Sequence, residues 1–354
     1  MTRQTDAPPY YRALALQVPT NTINQLEGRA AARAEMKRAI EHLAQEIPAA
    51  KMWIGQDLKL VVLPEYFLTG FPMGDSIESW ADKAALEIDG PEYEALGAIA
   101  QQNKMYISGN AYEQDPHFPG TYFQTSFVID PSGDVILRYR RLISMMSPSP
   151  YDYLDKYLDV YGEDALFPVR DTAIGKIGCI ASEEIVYPEI ARCIALKGAE
   201  VFLHSSSEPG SQLPTPKNIA KQARALENLA YVVSANSGGL FNYAIGAHST
   251  DGGSKIVDYY GRVMVESDGG ESINAFAEID LEALRRYRKR GGIFNMLSRQ
   301  PIDLYAREFA KTTIAVPNLM MNADGSTNQP DRKFFIERQQ SAITSMIERG
   351  LIKE

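Results

Sequence analysis

The chain has 354 residues, of which 45% are hydrophobic and 23% are charged, and its formal net charge is −9. These fractions are typical of a soluble globular protein, and the acidic balance argues against a nucleic-acid partner or an anionic membrane surface. The first residues, MTRQTDAPPYYR, contain no apolar run, so we expect no secretory signal, and no apolar stretch is long enough to span a bilayer. We therefore predict a cytoplasmic α/β protein.

The first half of the chain predicts strands that alternate with helices. A long helix over residues 29–47 carries one apolar stripe, and a second helix is expected over 91–103. Apolar runs are typical of strands that are covered on both faces of a sheet. The predicted strands are 12–18, 58–63 and 105–111, followed by a hairpin of 126–130 and 135–139.

Residues 144–168 show little periodicity and are rich in tyrosine and proline. A loop of that length inside a compact domain is usually functional or interfacial. We expect the tyrosine-rich part, residues 151–161, to line or cover a ligand pocket.

Residues 175–207 read as a strand, a sharp turn, a helix and a second strand. The strands are expected over 175–181 and 199–203, and Pro188 suits the first position of the helix between them because its missing N–H needs no partner there. The turn holds the polar residues Ser182, Glu183 and Glu184. Because open α/β folds bind ligands at the carboxyl ends of their strands, we expect chemistry at this turn.

The remaining elements repeat the pattern of the first half. They are a helix over 218–228, strands over 231–235 and 273–279, a hairpin of 254–258 and 263–266, and a helix capped by Asp280. The two predicted hairpins have similar sequences, VIDPSGDVIL and IVDYYGRVMV. Two similar halves, each with a sheet and outer helices, would pack into a four-layer α-β-β-α sandwich.

Beyond residue 295 the pattern weakens. Residues 320–332 form a polar loop and 333–352 an amphipathic helix. We predict a main domain over 10–295 and a C-terminal extension over 296–354. The extension would pack either on its own domain or on a partner subunit.

Three segments resemble the catalytic segments of the nitrilase (carbon–nitrogen hydrolase) superfamily. They are LPEYF at 63–67, RYRRLI at 138–143 and GCIASEEIVYPE at 178–189. The resemblance covers about residues 10–300. It implies the α-β-β-α fold with two pseudo-symmetric halves, hydrolysis of a small non-peptide amide, urea or nitrile, and a homo-oligomer. We expect no cofactor, no metal and no nucleic-acid or membrane partner.

Two of the three catalytic positions depart from the family. The resemblance places Glu65 as the general base, but Ser182 stands where the family has a cysteine and Arg141 where it has a lysine. A serine hydroxyl is harder to ionise than a thiol and usually needs an adjacent base. A guanidinium stays charged, so Arg141 could stabilise an oxyanion together with the backbone N–H of Glu183, or hold a substrate carboxylate, but it could not shuttle a proton.

Three further residues are expected to contact substrate, namely Tyr66, Glu184 and His204. His204 ends the strand after the Ser182 helix, so a Ser182–His204–Glu arrangement is one option. Among other groups, Cys179 lies three residues before Ser182 and should face the opposite side of the strand. We expect Cys179 and Cys193 to be buried structural thiols, and no ligand spacing predicts a metal site.

Three interpretations of the altered site remain open. The protein could hydrolyse its substrate with Ser182 or with a water activated by Glu65. It could instead be an inactive relative that binds a small carboxylate or amide or serves as a regulatory subunit. Ser182 could also be an engineered replacement that traps an active enzyme, which Arg141 argues against because trapping would not alter the lysine as well.

Overall fold

The computed structural model describes residues 10–209 and 214–353. Within these ranges the strands are β1 (Tyr10–Ala15), β2 (Thr20–Asn21), β3 (Leu58–Glu65), β4 (Tyr106–Glu113), β5 (Phe123–Ile129), β6 (Val135–Arg140), β7 (Val169–Thr172), β8 (Gly175–Ala181), β9 (Val201–Ser205), β10 (Tyr231–Ala235), β11 (Leu240–Phe241), β12 (Lys255–Val257), β13 (Val263–Glu266) and β14 (Phe276–Asp280). The helices are α1 (Gly28–Ile54), α2 (Ile77–Ala84), α3 (Pro91–Asn103), α4 (Leu154–Tyr161), α5 (Pro188–Leu196), α6 (Pro216–Asn228), α7 (Leu281–Arg288), α8 (Ile302–Phe309) and α9 (Lys333–Glu348).

Two six-stranded sheets share one topology. The first has the order β14-β1-β3-β4-β5-β6 and the second has the order β13-β12-β10-β9-β8-β7. In each sheet three parallel strands, β1-β3-β4 or β8-β9-β10, are flanked by one antiparallel strand and by a hairpin. The similar hairpins β5-β6 and β12-β13 therefore occupy equivalent places, which confirms the predicted pair of halves.

The core has three layers of apolar contacts, as an α-β-β-α sandwich requires. Side chains of both sheets, such as Val62 and Leu203, meet in the middle. On the outer faces α1 and α3 cover the first sheet, and α5 and α6 cover the second. The predicted four-layer fold is thus confirmed.

Two sequence predictions are corrected by long-range packing. Helix α1 continues through Pro48 to Ile54, because Ala50 and Ile54 extend its buried stripe and this packing outweighs the missing hydrogen bond. The segment predicted as an aperiodic loop, 144–168, contains helix α4, which packs Tyr157 against a buried aromatic cluster. Periodicity alone does not reveal such contacts.

Helix α9 of the C-terminal region lies against the rest of the chain. Phe335 is buried, and Arg338 forms an ion pair with the fully buried Asp152. The boundary at residue 295 and the role of the extension stay predictions.

In the described part of the chain, no helix combines the length and the apolar character needed to traverse a lipid bilayer. Residues 1–9, which carry most of the N-terminal segment expected to lack a secretory signal, lie outside the described residues.

Candidate active site

Each of the three segments that resemble the family's catalytic segments contributes a residue to one cavity. Glu65 is the last residue of β3, Arg141 directly follows β6, and Ser182 directly follows β8. The cavity has a volume of about 260 Å³. Its lining is Glu65, Tyr66, Phe71, Pro72, Tyr112, Arg141, Ser144, Met145, Met146, Ser147, Ser182, Glu183, Ser207 and Lys217.

Arg141 lies at the centre of the polar contacts. Its Nη1 donates to Oε1 of Gln124 at 2.7 Å and to Oε1 of Glu65 at 3.3 Å, and its Nε donates to the carbonyl of Ile143 at 2.6 Å. Its Nη2 forms an ion pair with Glu183. Burial disfavours the charged form, but the surrounding tyrosine and carboxylates outweigh it and raise the pKa of Arg141. The guanidinium is therefore a fixed positive charge.

Gln124 orients the Glu65 carboxylate, a role that no motif in the sequence indicates. Its Nε2 donates to Oε1 of Glu65 at 2.7 Å and to Oδ1 of Asn110 at 3.1 Å. Its Oε1 also accepts a hydrogen bond from the hydroxyl of Tyr66 at 3.2 Å, and Tyr66 stacks on Tyr112 with a centroid distance of 5.1 Å. Glu65 is thus buried and held from two sides.

Ser182 occupies the predicted sharp turn. It has a φ of 48°, a left-handed conformation that residues other than glycine seldom adopt. Such conformations cluster at functional sites when the surrounding structure enforces them. The next residue, Glu183, lies in the 3₁₀ turn Ser182–Val186, and the first N–H groups of a helical turn have no partner within it. The predicted oxyanion role of the Glu183 N–H stays a prediction.

The hydroxyl of Ser182 contacts a residue that the sequence did not indicate. Nζ of Lys217, near the start of α6, lies 3.1 Å from Oγ of Ser182 and 3.5 Å from Oγ of Ser206. In the sequence it lies one residue before the predicted helix 218–228, and only the folded chain places it in the first turn of α6, where the helix dipole disfavours a positive charge.

His204 does not form the Ser182–His204–Glu arrangement that was one option. Its Nε2 donates to the main-chain carbonyl of Ser182 at 2.8 Å, and its Nδ1 lies 2.8 Å from Oγ of Ser234. Burial, with the nearby Lys221 charge, lowers the pKa of His204 to about 3. The imidazole is neutral, fully buried and engaged at both nitrogens, so it does not face substrate.

Glu184 also does not line the cavity, contrary to the expectation that it contacts substrate. Its Oε1 accepts the backbone N–H groups of Leu142 and Ile143 at 2.8 and 3.0 Å, and its Oε2 accepts the hydroxyl of Tyr139 at 2.7 Å. Burial raises the pKa of Glu184 to about 7, against the lowering effects of Arg141 and these hydrogen bonds. Its contacts hold the segment that presents Arg141.

The cysteines and the tyrosine-rich segment lie away from the cavity. Cys179 is buried between the sheets, and burial raises the pKa of its thiol to about 12, whereas Cys193 is only half-buried on α5. Residues 151–161 were expected to line or cover the ligand pocket, but none of them lines this cavity. Instead, Tyr157 and Tyr161 lie against the guanidinium of Arg140.

One group of side chains in the described residues has the geometry to hold a metal ion. It consists of His42, Glu46 and Glu271, which lie outside the cavity and are at least partly exposed. Clusters of this kind are common on protein surfaces without an ion, and nothing connects this one to Ser182.

Comparisons with known proteins agree with the resemblance. The family model for carbon–nitrogen hydrolases matches residues 15–289. A formamidase of Pseudomonas syringae is 27% identical over 239 residues, which are 67% of this chain and 64% of the relative. A formamidase of Bacillus cereus is 28% identical over 209 residues, 58% of each chain. The chain thus spans less than two thirds of these relatives.

The fold also matches a solved structure. A carbon–nitrogen hydrolase of Helicobacter pylori superposes with a TM-score of 0.63, covering 85% of this chain and 98% of the other at 21% identity. At that identity the likeness shows the fold alone.

Proposed function

We propose, from the premise that the chain belongs to the carbon–nitrogen hydrolase family, that it hydrolyses the carbon–nitrogen bond of a small non-peptide amide. The family and the relatives are hydrolases, and the Pseudomonas syringae and Bacillus cereus relatives are formamidases. We propose three things beyond family membership: that the substrate is a small amide, that the altered residues are catalytic, and that the protein turns substrate over.

The observation that carries the proposal is the convergence of three groups from distant parts of the chain. A carboxylate, a guanidinium and a hydroxyl, from Glu65, Arg141 and Ser182, line one cavity of about 260 Å³. A space of that size suits a small substrate, because drug-sized ligands occupy pockets of roughly 300–1,000 Å³.

Each group has a role that its surroundings support. The fixed charge of Arg141 and the N–H of Glu183 would stabilise the oxyanion of a tetrahedral intermediate. Glu65 would accept the proton of an attacking water, because its carboxylate is buried and oriented by Gln124. Either Ser182 or that water would be the first nucleophile.

A second candidate function is binding without turnover. The donors of Arg141 are occupied by Gln124, Ile143, Glu65 and Glu183. A guanidinium held in this way acts as a structural cation unless substrate displaces one partner. A serine in place of cysteine is also the weaker nucleophile, so an inactive relative that binds a small amide would show the same contacts.

The test is ammonia release from a panel of small amides, with ureas and nitriles included, together with intact-protein mass spectrometry. We expect turnover of at least one amide, and its loss in Glu65→Gln, while Ser249→Ala at an exposed loop leaves it unchanged. An acyl adduct on Ser182 would identify the serine as the nucleophile, whereas turnover that survives Ser182→Ala would identify water. Ligand-induced thermal stabilisation without turnover across the panel would overturn the hydrolase proposal in favour of binding.

A further inference from the structure

We propose that Lys217 and Ser182 form a catalytic pair, in which Nζ of Lys217 removes the proton of the Ser182 hydroxyl and later returns it to the leaving nitrogen. This inference rests on the proposed amide hydrolysis and selects Ser182 over water as the first nucleophile. It adds a base that lies on α6, outside the three segments with catalytic resemblance.

The first support is geometric. Nζ of Lys217 lies 3.1 Å from Oγ of Ser182, within the range in which a base abstracts a proton. Both side chains line the same cavity. A small molecule in this cavity would therefore meet both side chains.

The second support is that local structure does not require a lysine at position 217. Thr215 caps α6 by accepting the backbone N–H of Asn218 at 3.2 Å, and Lys217 lies in the first turn. The helix dipole disfavours a cation there by about 0.3–1 kcal/mol. A side chain placed against this preference and directed at a buried hydroxyl is better explained by function than by helix stability.

The third support comes from how the neighbouring charges are paired. Glu65 and Glu183 pair with Arg141, and Glu208 pairs with Lys221. Among the described residues no carboxylate lies within 4 Å of Nζ of Lys217, whose contacts are to the hydroxyls of Ser182 and Ser206. Its nitrogen is thus directed to the nucleophile rather than held in an ion pair.

The other candidate bases make no hydrogen bond to the Ser182 hydroxyl among the described residues. His204 donates its Nε2 proton to the carbonyl of Ser182, not to its hydroxyl. Glu65 contacts Arg141 and Gln124. Within the part of the chain that the structure describes, Lys217 is the basic side chain in hydrogen-bond contact with Oγ of Ser182.

The acylation step balances with these groups alone. Oγ of Ser182 forms a bond to the carbonyl carbon, its proton moves to Nζ of Lys217, and the π electrons of the carbonyl move to oxygen beside Arg141 and the Glu183 N–H. When the carbonyl re-forms, the carbon–nitrogen bond breaks, and the leaving nitrogen takes the proton from Nζ. Ammonia or an amine departs and an ester on Ser182 remains.

Deacylation reverses the roles. A water oxygen attacks the ester carbon while its proton passes to Nζ of Lys217, which in this mechanism replaces Glu65 as the base for water. Collapse of the intermediate breaks the bond to Oγ of Ser182, which takes that proton back. The net reaction is amide plus water to carboxylic acid plus ammonia or amine.

The experiment compares Lys217→Met with Lys59→Met, a half-buried lysine on β3 away from the cavity. We expect Lys217→Met to lower kcat by about 10²- to 10⁴-fold, the usual contribution of a general acid–base group, with KM and the thermal unfolding midpoint little changed. Lys59→Met should keep full turnover.

A chemical rescue separates catalysis from packing. Lys217→Cys is treated with 2-bromoethylamine, which rebuilds a side chain of lysine length with a less basic amine. We expect turnover to return and the acidic limb of the pH–rate profile to move to lower pH, an effect that restored packing alone would not produce. Treated wild-type protein controls for alkylation of the native cysteines.

A second readout does not need turnover. The rate at which a fluorophosphonate labels Ser182, followed by peptide mass spectrometry, should fall in Lys217→Met and return in the rescued variant. If Lys217→Met keeps turnover and labelling rates within threefold of the wild type, the proposed Lys217–Ser182 pair is wrong. The proposed hydrolysis would still stand. A wild-type protein that neither turns over the panel nor labels at Ser182 would overturn both.

Discussion

Nε2 of His204 lies 2.8 Å from the main-chain carbonyl oxygen of Ser182 and contacts the backbone of that residue, not its hydroxyl. The contact holds the backbone of a serine whose φ is 48°. Because the ring is neutral and its other nitrogen contacts Ser234, we infer that His204 positions the nucleophile and takes no proton.

Replacing His204 by Phe should therefore cost stability. The ring volume is kept, but the Ser182 carbonyl and the Ser234 hydroxyl lose their partners, at about 1–3 kcal/mol for each buried group left unsatisfied. Because the pKa of His204 falls from 6.5 to about 3 on folding, wild-type stability should decline as pH drops below about 6.5, and this decline should shrink in the variant. Urea unfolding from pH 4 to 8 measures both effects. Unchanged stability combined with loss of all turnover would instead support a catalytic His204.

Gln124 bridges Glu65 and Arg141, so its removal should disturb both of these groups of the proposed site without touching substrate. We expect Gln124→Leu to reduce kcat by about 10²-fold, the cost of a misplacement of roughly 1 Å. Gln124→Glu should be more harmful, because it places a second carboxylate against Glu65. Gln101→Leu on the exposed face of α3 is the matched control. Turnover of Gln124→Leu within twofold of the wild type would show that Glu65 and Arg141 hold their positions unaided.

The fold could be predicted from the sequence largely because its strands are buried. Continuous apolar runs identified the strands at 58–65, 175–181 and 231–235 nearly to the residue, and two similar hairpins indicated the two halves. Helix α4 could not be found in this way. Its formation depends on aromatic contacts of Tyr157 with residues more than thirty positions away.

The convergence of three candidate residues at one cavity could be predicted from the sequence, but the contacts around them could not. Glu65, Arg141 and Ser182 stood out because their segments resemble the family's catalytic segments, and each lies at or directly after the end of a strand. The direction of a side chain at a strand end depends on its register, so Glu184 and His204 were expected in the cavity and lie buried behind it. Gln124 and Lys217 belong to segments with ordinary polar patterns, and only the folded chain brings them to the site.

Glu184 should make stability depend on pH. Its pKa rises from 4.5 to about 7 on folding, so the unfolded chain ionises first as pH increases, and the folded state loses up to roughly 3 kcal/mol between those values. Glu184→Gln keeps an oxygen for the N–H groups of Leu142 and Ile143 and can donate to Tyr139. We therefore expect it to fold, and to gain stability over the wild type as pH rises from about 4.5 to 7. Urea unfolding across this range tests it, with Ser249→Ala as the baseline; a pH-independent difference would contradict the prediction.

Gly97 on α3 allows that helix to approach the turn of the β5-β6 hairpin. A Cβ at this position would lie 2.6 Å from the carbonyl oxygen of Gly133, a backbone atom that cannot turn aside. Although alanine favours a helix by about 1 kcal/mol, we expect Gly97→Ala to lower the free energy of unfolding by about 1–3 kcal/mol through overpacking. Gly291→Ala, with no atom within 4 Å of the added Cβ, should change it by less than about 0.5 kcal/mol. Equal effects in urea unfolding would count against the close approach.

Arg338 connects the C-terminal extension to the segment beside the site. Its Nη2 donates to the carbonyl of Ser144 at 3.2 Å, and it forms an ion pair with the buried Asp152. Burial raises the pKa of Asp152 even though Arg338 lowers it, so removing the arginine leaves a carboxylate that is costly to ionise. Because Arg338 is partly exposed, we expect Arg338→Ala to cost about 2–3 kcal/mol, somewhat less than a fully buried pair.

The same variant tests whether α9 packs on its own domain. If α9 packs on its own chain, the loss of stability should not depend on protein concentration. If a partner subunit supplies the contact, the loss should change with protein concentration. Asp152→Asn combined with Arg338→Ala should recover part of the loss, because a neutral amide no longer needs the guanidinium. Lys311→Ala, which removes an exposed ion pair with Glu308, is the control and should change stability by less than about 0.5 kcal/mol. Full additivity of the two substitutions would show that Asp152 and Arg338 do not stabilise each other.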